Sequence, residues 1–116
     1  MKWFLFVAAL YALPGPLTLT IYPYFSNSPA TFRVTVMAPR HAGNRLVCWS
    51  VDGPEFRKSC HSLDGENAQK VWTVYWSLRT AGDYVAEAVL TRVEDGQTRT
   101  YKDSHPFRVI GFELEP

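Results

Sequence analysis

The sequence is short of most residues and patterns that carry chemistry. Its 116 residues include two cysteines and three histidines, and none of these falls in a Cys-x-x-Cys or metal-ligand spacing. It has no Gly-rich phosphate loop and no Gly-x-Ser-x-Gly elbow, which removes the nucleotide-binding and serine-hydrolase motifs. Charge of one sign is lacking too. Lys plus Arg number 12 against 11 Asp plus Glu, so there is no basic field for nucleic acid or anionic lipid. No apolar run reaches the roughly 20 residues that span a bilayer, and no segment shows a helical period of useful length.

What is present points to β structure and to export. The chain is 47% hydrophobic and 15% aromatic, with β-formers abundant, so one all-β domain is expected rather than disorder. Met1-Lys2 precedes an uncharged apolar run from Trp3 to Leu13 and the breaker Pro14-Gly15-Pro16. One cation followed by a short apolar core is the layout of a secretory signal peptide, taken as residues 1–16. Breaks near Ala12 to Gly15 or after Thr20 both fit. The expected location is secreted, periplasmic or at the cell surface, with a membrane involved only through an uncleaved leader. Removing Lys2 with it leaves basic and acidic residues equal in number.

From residue 17 to 116, turn residues recur at intervals of about ten, the rhythm of short antiparallel strands. Strands are expected over Leu17–Tyr22, Thr31–Met37, Arg45–Val51, Phe56–Ser62, Lys70–Leu78 and Tyr84–Val93. A seventh lies within Thr98–Ile110, broken by Pro106. Glu66 to Gln69 reads as loop, and Glu94-Asp95-Gly96 as a tight hairpin turn.

The two cysteines of an exported chain are most simply joined. If the third and fourth strands form a hairpin centred on Pro54, Cys48 and Cys60 are equally far from the turn and face each other. A non-hydrogen-bonded pair of this kind has Cα atoms about 4.5 Å apart, within bridging reach. Closing so short a loop is worth about 3 kcal/mol on chain-entropy arithmetic. Alternation puts Trp49 with Val47, Val51 and Leu63 on the inner face and the disulfide on the outer one. A redox role finds no support at this level, because no neighbouring base or Cys-x-x-Cys occurs. Trp72 and Trp76 share the apolar set of the fifth strand, so with Trp49 they are expected as core anchors.

Trp49, on a strand ending in Asp52-Gly53, and the later run Leu78-Arg79-Thr80-Ala81-Gly82-Asp83-Tyr84-Val85-Ala86 resemble the immunoglobulin-like β-sandwich. In that family an inward Trp lies on strand C, and a Tyr opening strand F bonds back to the preceding corner. Tyr84 matches that corner and joins the core anchors, while Ala86 stands where the family's core cysteine would be. The match is therefore to the broad Ig-like or fibronectin type III-like class, without the inter-sheet disulfide. It implies a two-sheet antiparallel sandwich of about seven strands acting as a non-enzymatic binding or structural module. Such a module would engage another protein through loops or an edge strand. The alternative is a small carbohydrate-binding module using exposed aromatics.

No catalytic residue, metal ligand or cofactor is expected. His41, His61 and His105 read as surface residues, and Asp64-Gly65-Glu66-Asn67 lacks the remaining ligands of a calcium loop.

Overall fold

The structure, a computed structural model, describes residues 16–111. Apart from Pro16, the expected leader lies outside the described residues. Eight strands and one 3₁₀ turn follow in order: β1 (Thr18–Tyr22), β2 (Phe25–Asn27), β3 (Ala30–Met37), β4 (Asn44–Asp52), β5 (Phe56–Ser62), the turn Gly65–Asn67, β6 (Val71–Leu78), β7 (Gly82–Glu94) and β8 (Gln97–Ile110). They form a three-stranded sheet ordered β1-β3-β6 and a five-stranded sheet ordered β2-β8-β7-β4-β5. The fold is all-β and two-sheeted.

Period-two alternation accounts for the core. On β3, Phe32, Val34 and Val36 are buried while Thr31 and Arg33 face water. On β7, Tyr84, Ala86, Ala88 and Leu90 point inward. Across the β4–β7 ladder Trp49 is paired with Ala88 and Val51 with Ala86. Small residues beside the indole leave it room to lie flat in the core. The three-stranded sheet supplies Leu19, Ile21 and Trp72 from its other strands.

Three expectations are corrected. The strands number eight among the described residues, not seven. The additional one, β2, is three residues long and pairs in parallel with the far end of β8, Phe25 opposite Arg108; so short a piece carries no readable alternation. Glu66 and Asn67, read as loop, close the 3₁₀ turn Gly65–Asn67.

Pro106 does not break β8, which runs without interruption and pairs Pro106 with Val85. The reason is directional. The Arg108 N–H points away from β7 to the Tyr24 carbonyl at 3.0 Å, so the nitrogen of Pro106, two residues earlier, faces the same way. The β2 register begins at Arg108, so the missing N–H leaves no ladder bond unmade. At the other end of β7, Asp95 (φ 52°) and Gly96 (φ 78°) both take positive φ, the requirement of a tight two-residue hairpin.

Candidate functional site

The β4–β5 hairpin carries the chain's two cysteines. Its register places Cys48 opposite Cys60, and the two are joined by a disulfide with Cα atoms 4.0 Å apart. The pair lies on the outer face of the five-stranded sheet. Cys48 is half-buried, between Cys60 and Val89 of β7, whereas Cys60 is exposed. β5 is the edge of its sheet, so no further strand flanks Cys60. Lys58, two positions earlier on the same outer face, is also exposed.

The inner side of this hairpin is aromatic. Trp49 and Trp72 are 3% and 6% exposed, and their ring centroids lie 6.2 Å apart. The His61 ring stacks on Trp49 at 5.4 Å with planes 19° apart and lies 6.4 Å from Trp72. His61 is exposed at the sheet edge, and its ring is the β5 side chain stacked on both indoles. Trp49 Nε1 is buried with no hydrogen-bond acceptor among the described residues, a costly condition for an indole N–H. Trp76, expected as a core anchor, is half-buried and packs against the core from the edge strand β6. Tyr84 is 1% exposed, and its hydroxyl donates to the Thr80 carbonyl at 2.7 Å. Burial pushes that hydroxyl's pKa above the ordinary tyrosine range.

His61 is the member that sequence reasoning placed at the surface without a partner. The hairpin register pairs it with Val47, hence on the Trp49 face, so the signal was available in the alternation.

A second constellation lies where β7 turns into β8. Arg92 is buried and donates through Nε to Asn44 Oδ1 at 2.7 Å, with an Nη1 contact to Glu94 at 3.3 Å. Tyr101 Oη donates to Glu94 at 2.9 Å, and this bond leads the causes holding the Glu94 carboxyl below its ordinary range. A polar recess of about 430 Å³ next to it is lined by residues including His41, Arg45, Glu94 and Asp95. His41 Nδ1 accepts the Gly43 N–H at 2.8 Å, which leaves the proton of the neutral ring on Nε2. At the opposite end, an open groove of about 700 Å³ runs along Tyr24, Phe25, Val85, Pro106 and Ile110 beside the exposed Arg108–Asp83 pair.

The three histidines do not converge. His41 lies before β4, His61 on β5 and His105 on β8; His105 Nε2 is 3.3 Å from Asp103, whose carboxylate also accepts the Leu19 N–H at 2.8 Å. Among the described residues no three His, Cys, Asp or Glu side chains gather as a metal site.

No family model matches the chain, and no curated protein does either. Among solved structures, the fold is similar to a superoxide reductase (neelaredoxin) from Ignicoccus hospitalis. The match has a TM-score of 0.59 at 14% identity, covering 88% of this chain and 86% of that one. A variant of the same protein matches at TM-score 0.53 and 13% identity, covering 90% and 86%. At this identity the likeness is one of fold.

The likeness corrects the expectation of a non-enzymatic module. That expectation, with its protein-interaction role and its sugar-binding alternative, rested on analogy with interaction sandwiches. The fold neighbours are instead named as redox enzymes. Burial of Trp72 also removes the exposed tryptophan pair that sugar binding required. Reducing superoxide takes up an electron, a task that proteins assign to a redox-active group. Among the described residues the donor set, with both sulfurs bonded to each other and the histidines apart, does not fit a metal centre.

Proposed function

We propose that this chain is an exported oxidoreductase-class domain on an immunoglobulin-like sandwich, and that its redox-active group is the Cys48–Cys60 disulfide. The observation that carries the reading is the exposure of Cys60 on an edge strand, where an incoming thiolate meets the sulfur without a strand being displaced. Sequence argued against a redox role from the missing Cys-x-x-Cys; the accessibility of Cys60 and the redox enzymes among the fold neighbours outweigh that. Trp49 on β4 and the Tyr84–Thr80 bond at the β6–β7 corner support the Ig-like assignment.

The reaction is thiol–disulfide exchange with a dithiol donor. The donor thiolate attacks Cys60 Sγ, the S–S bond breaks, and the electron pair leaves on Cys48 Sγ, which takes a proton from solvent. The second donor thiol then attacks the mixed disulfide and releases Cys60. Two electrons and two protons have passed to this chain, and the donor has become a disulfide.

The test is equilibration of the folded protein in glutathione buffers, with thiols trapped and counted by mass. A reduction potential above about −300 mV supports the reading, because structural disulfides of secreted proteins lie below that value. A potential at or below about −300 mV overturns it and leaves the bond a staple.

A further inference from the structure

We infer that the Cys48–Cys60 bond is a latch on strand β5, whose reduction opens the Trp49–Trp72 edge of the sandwich. This rests on the redox reading above and adds to it what the chemistry does to the fold.

Four observations point the same way. First, β5 contributes no buried side chain: all seven of its residues are exposed or half-buried. An edge strand without a buried face is held by its ladder and by specific ties, and belongs to the least stable part of a structure. Second, hydrogen-bonded ties flank the strand on both sides. Just before β5, Glu55 accepts the backbone N–H groups of Arg79 and Thr80 at 2.6 and 2.7 Å. At the C-terminal end the Leu63 N–H donates to the Arg45 carbonyl at 2.8 Å. The disulfide is the covalent tie between them, in the C-terminal half of β5.

Third, His61, next to Cys60 but on the opposite face, covers the two indoles through its stacked ring. Movement of this half of β5 therefore uncovers Trp49 and Trp72. Fourth, Trp49 Nε1 is buried without an acceptor among the described residues, so opening gives water access to that donor. The covalent bond holds this edge shut. Reduction by a dithiol donor removes the bond and releases Ser59 to Ser62 together with the imidazole.

The experiment is NMR on the whole folded protein, oxidised and then reduced with a non-thiol phosphine, with thiol counting on the same sample. Heteronuclear NOE values for Ser59 to Ser62 are expected to fall on reduction. The Trp49 indole proton should exchange with solvent at least about tenfold faster, while β7 and β8 resonances keep their positions. His61→Ala in the oxidised protein removes the cover without touching the bond, and is expected to speed indole exchange by itself. Fully reduced protein with unchanged β5 order and unchanged indole exchange overturns the latch while leaving the redox reading intact. Loss of dispersion throughout β7 and β8 also overturns it, since the bond would then staple the whole fold. A disulfide too reducing for glutathione exchange removes the redox reading first, and that result comes from the potential alone.

Discussion

The buried guanidinium of Arg92 donates through Nε to Asn44 Oδ1 at 2.7 Å, joining β7 to the start of β4 where the ladder between the two strands shifts register. Asn44 is itself 2% exposed and uses its amide to donate to the Pro39 carbonyl at 3.0 Å. The side chain thus bonds a buried cation and a main-chain carbonyl at once.

Asn44→Ala removes both bonds. A loss of about 2–4 kcal/mol in urea unfolding is expected, because a buried charged donor left without its acceptor costs more than the bond itself was worth. Arg92→Met should cost less than Asn44→Ala, since it removes the charge along with the bond.

Tyr84→Phe deletes one hydroxyl and its 2.7 Å bond to Thr80 without changing the shape of the core. It also leaves the Thr80 carbonyl with one partner fewer. A loss of about 1 kcal/mol is expected by denaturant titration, with the m-value unchanged.

Glu55 gives the fold a dependence on acid. The backbone N–H of Thr80, then that of Arg79, and more weakly Arg57 hold its carboxyl below the ordinary glutamate range. A carboxyl with a depressed folded-state value stabilises above its unfolded value, and that contribution is lost as pH falls through the folded value. The melting temperature should therefore drop as pH falls below the ordinary glutamate range, and Glu55→Gln should flatten that part of the profile. An unchanged acid limb in the variant would contradict this account.

The disulfide closes a sequence separation of 12 residues, worth about 3 kcal/mol on the chain-entropy model. Cys48→Ala/Cys60→Ala should remain folded with an unfolding free energy lowered by that amount. Near-ultraviolet circular dichroism checks the first half of the statement and urea titration the second.

Chelators should leave the protein unaffected. Dialysis against EDTA, followed by calorimetry, is expected to give an unchanged melting temperature, because among the described residues the histidines and acids do not meet as ligands. A stoichiometric metal retained by the purified protein and lost in His41→Ala, His61→Ala or His105→Ala would contradict this.

The all-β two-sheet class was legible because alternation along Thr31–Met37 and Tyr84–Val93 is a local property of side-chain direction, which a strand cannot change without turning its core outward. The β4–β5 register was legible for a similar reason: a short hairpin leaves few ways to pair. The same rule carries the placement of His61 on the Trp49 face, although His61 reads from sequence as a surface residue, and its stacking against Trp72 needed the second sheet to be in place.

β2 and the tolerance of Pro106 were not legible, since both depend on which strand lies beside β8 and how far it reaches. The buried Arg92–Asn44 bond spans 48 positions and the Glu55 clamp about half that; neither carboxylate nor guanidinium announces its partner in composition.

Sequence by itself determined the inward sets of β3 and β7, that this is a β fold, and which cysteine lies opposite which across the hairpin, because these follow from the period of the backbone. Only the tertiary structure decided that Cys60 stands exposed on an edge strand, that His61 closes over two tryptophans, and that the histidines never meet. Those depend on the order of strands in the sheets, set by contacts between segments far apart in the chain, on which local periodicity carries no information.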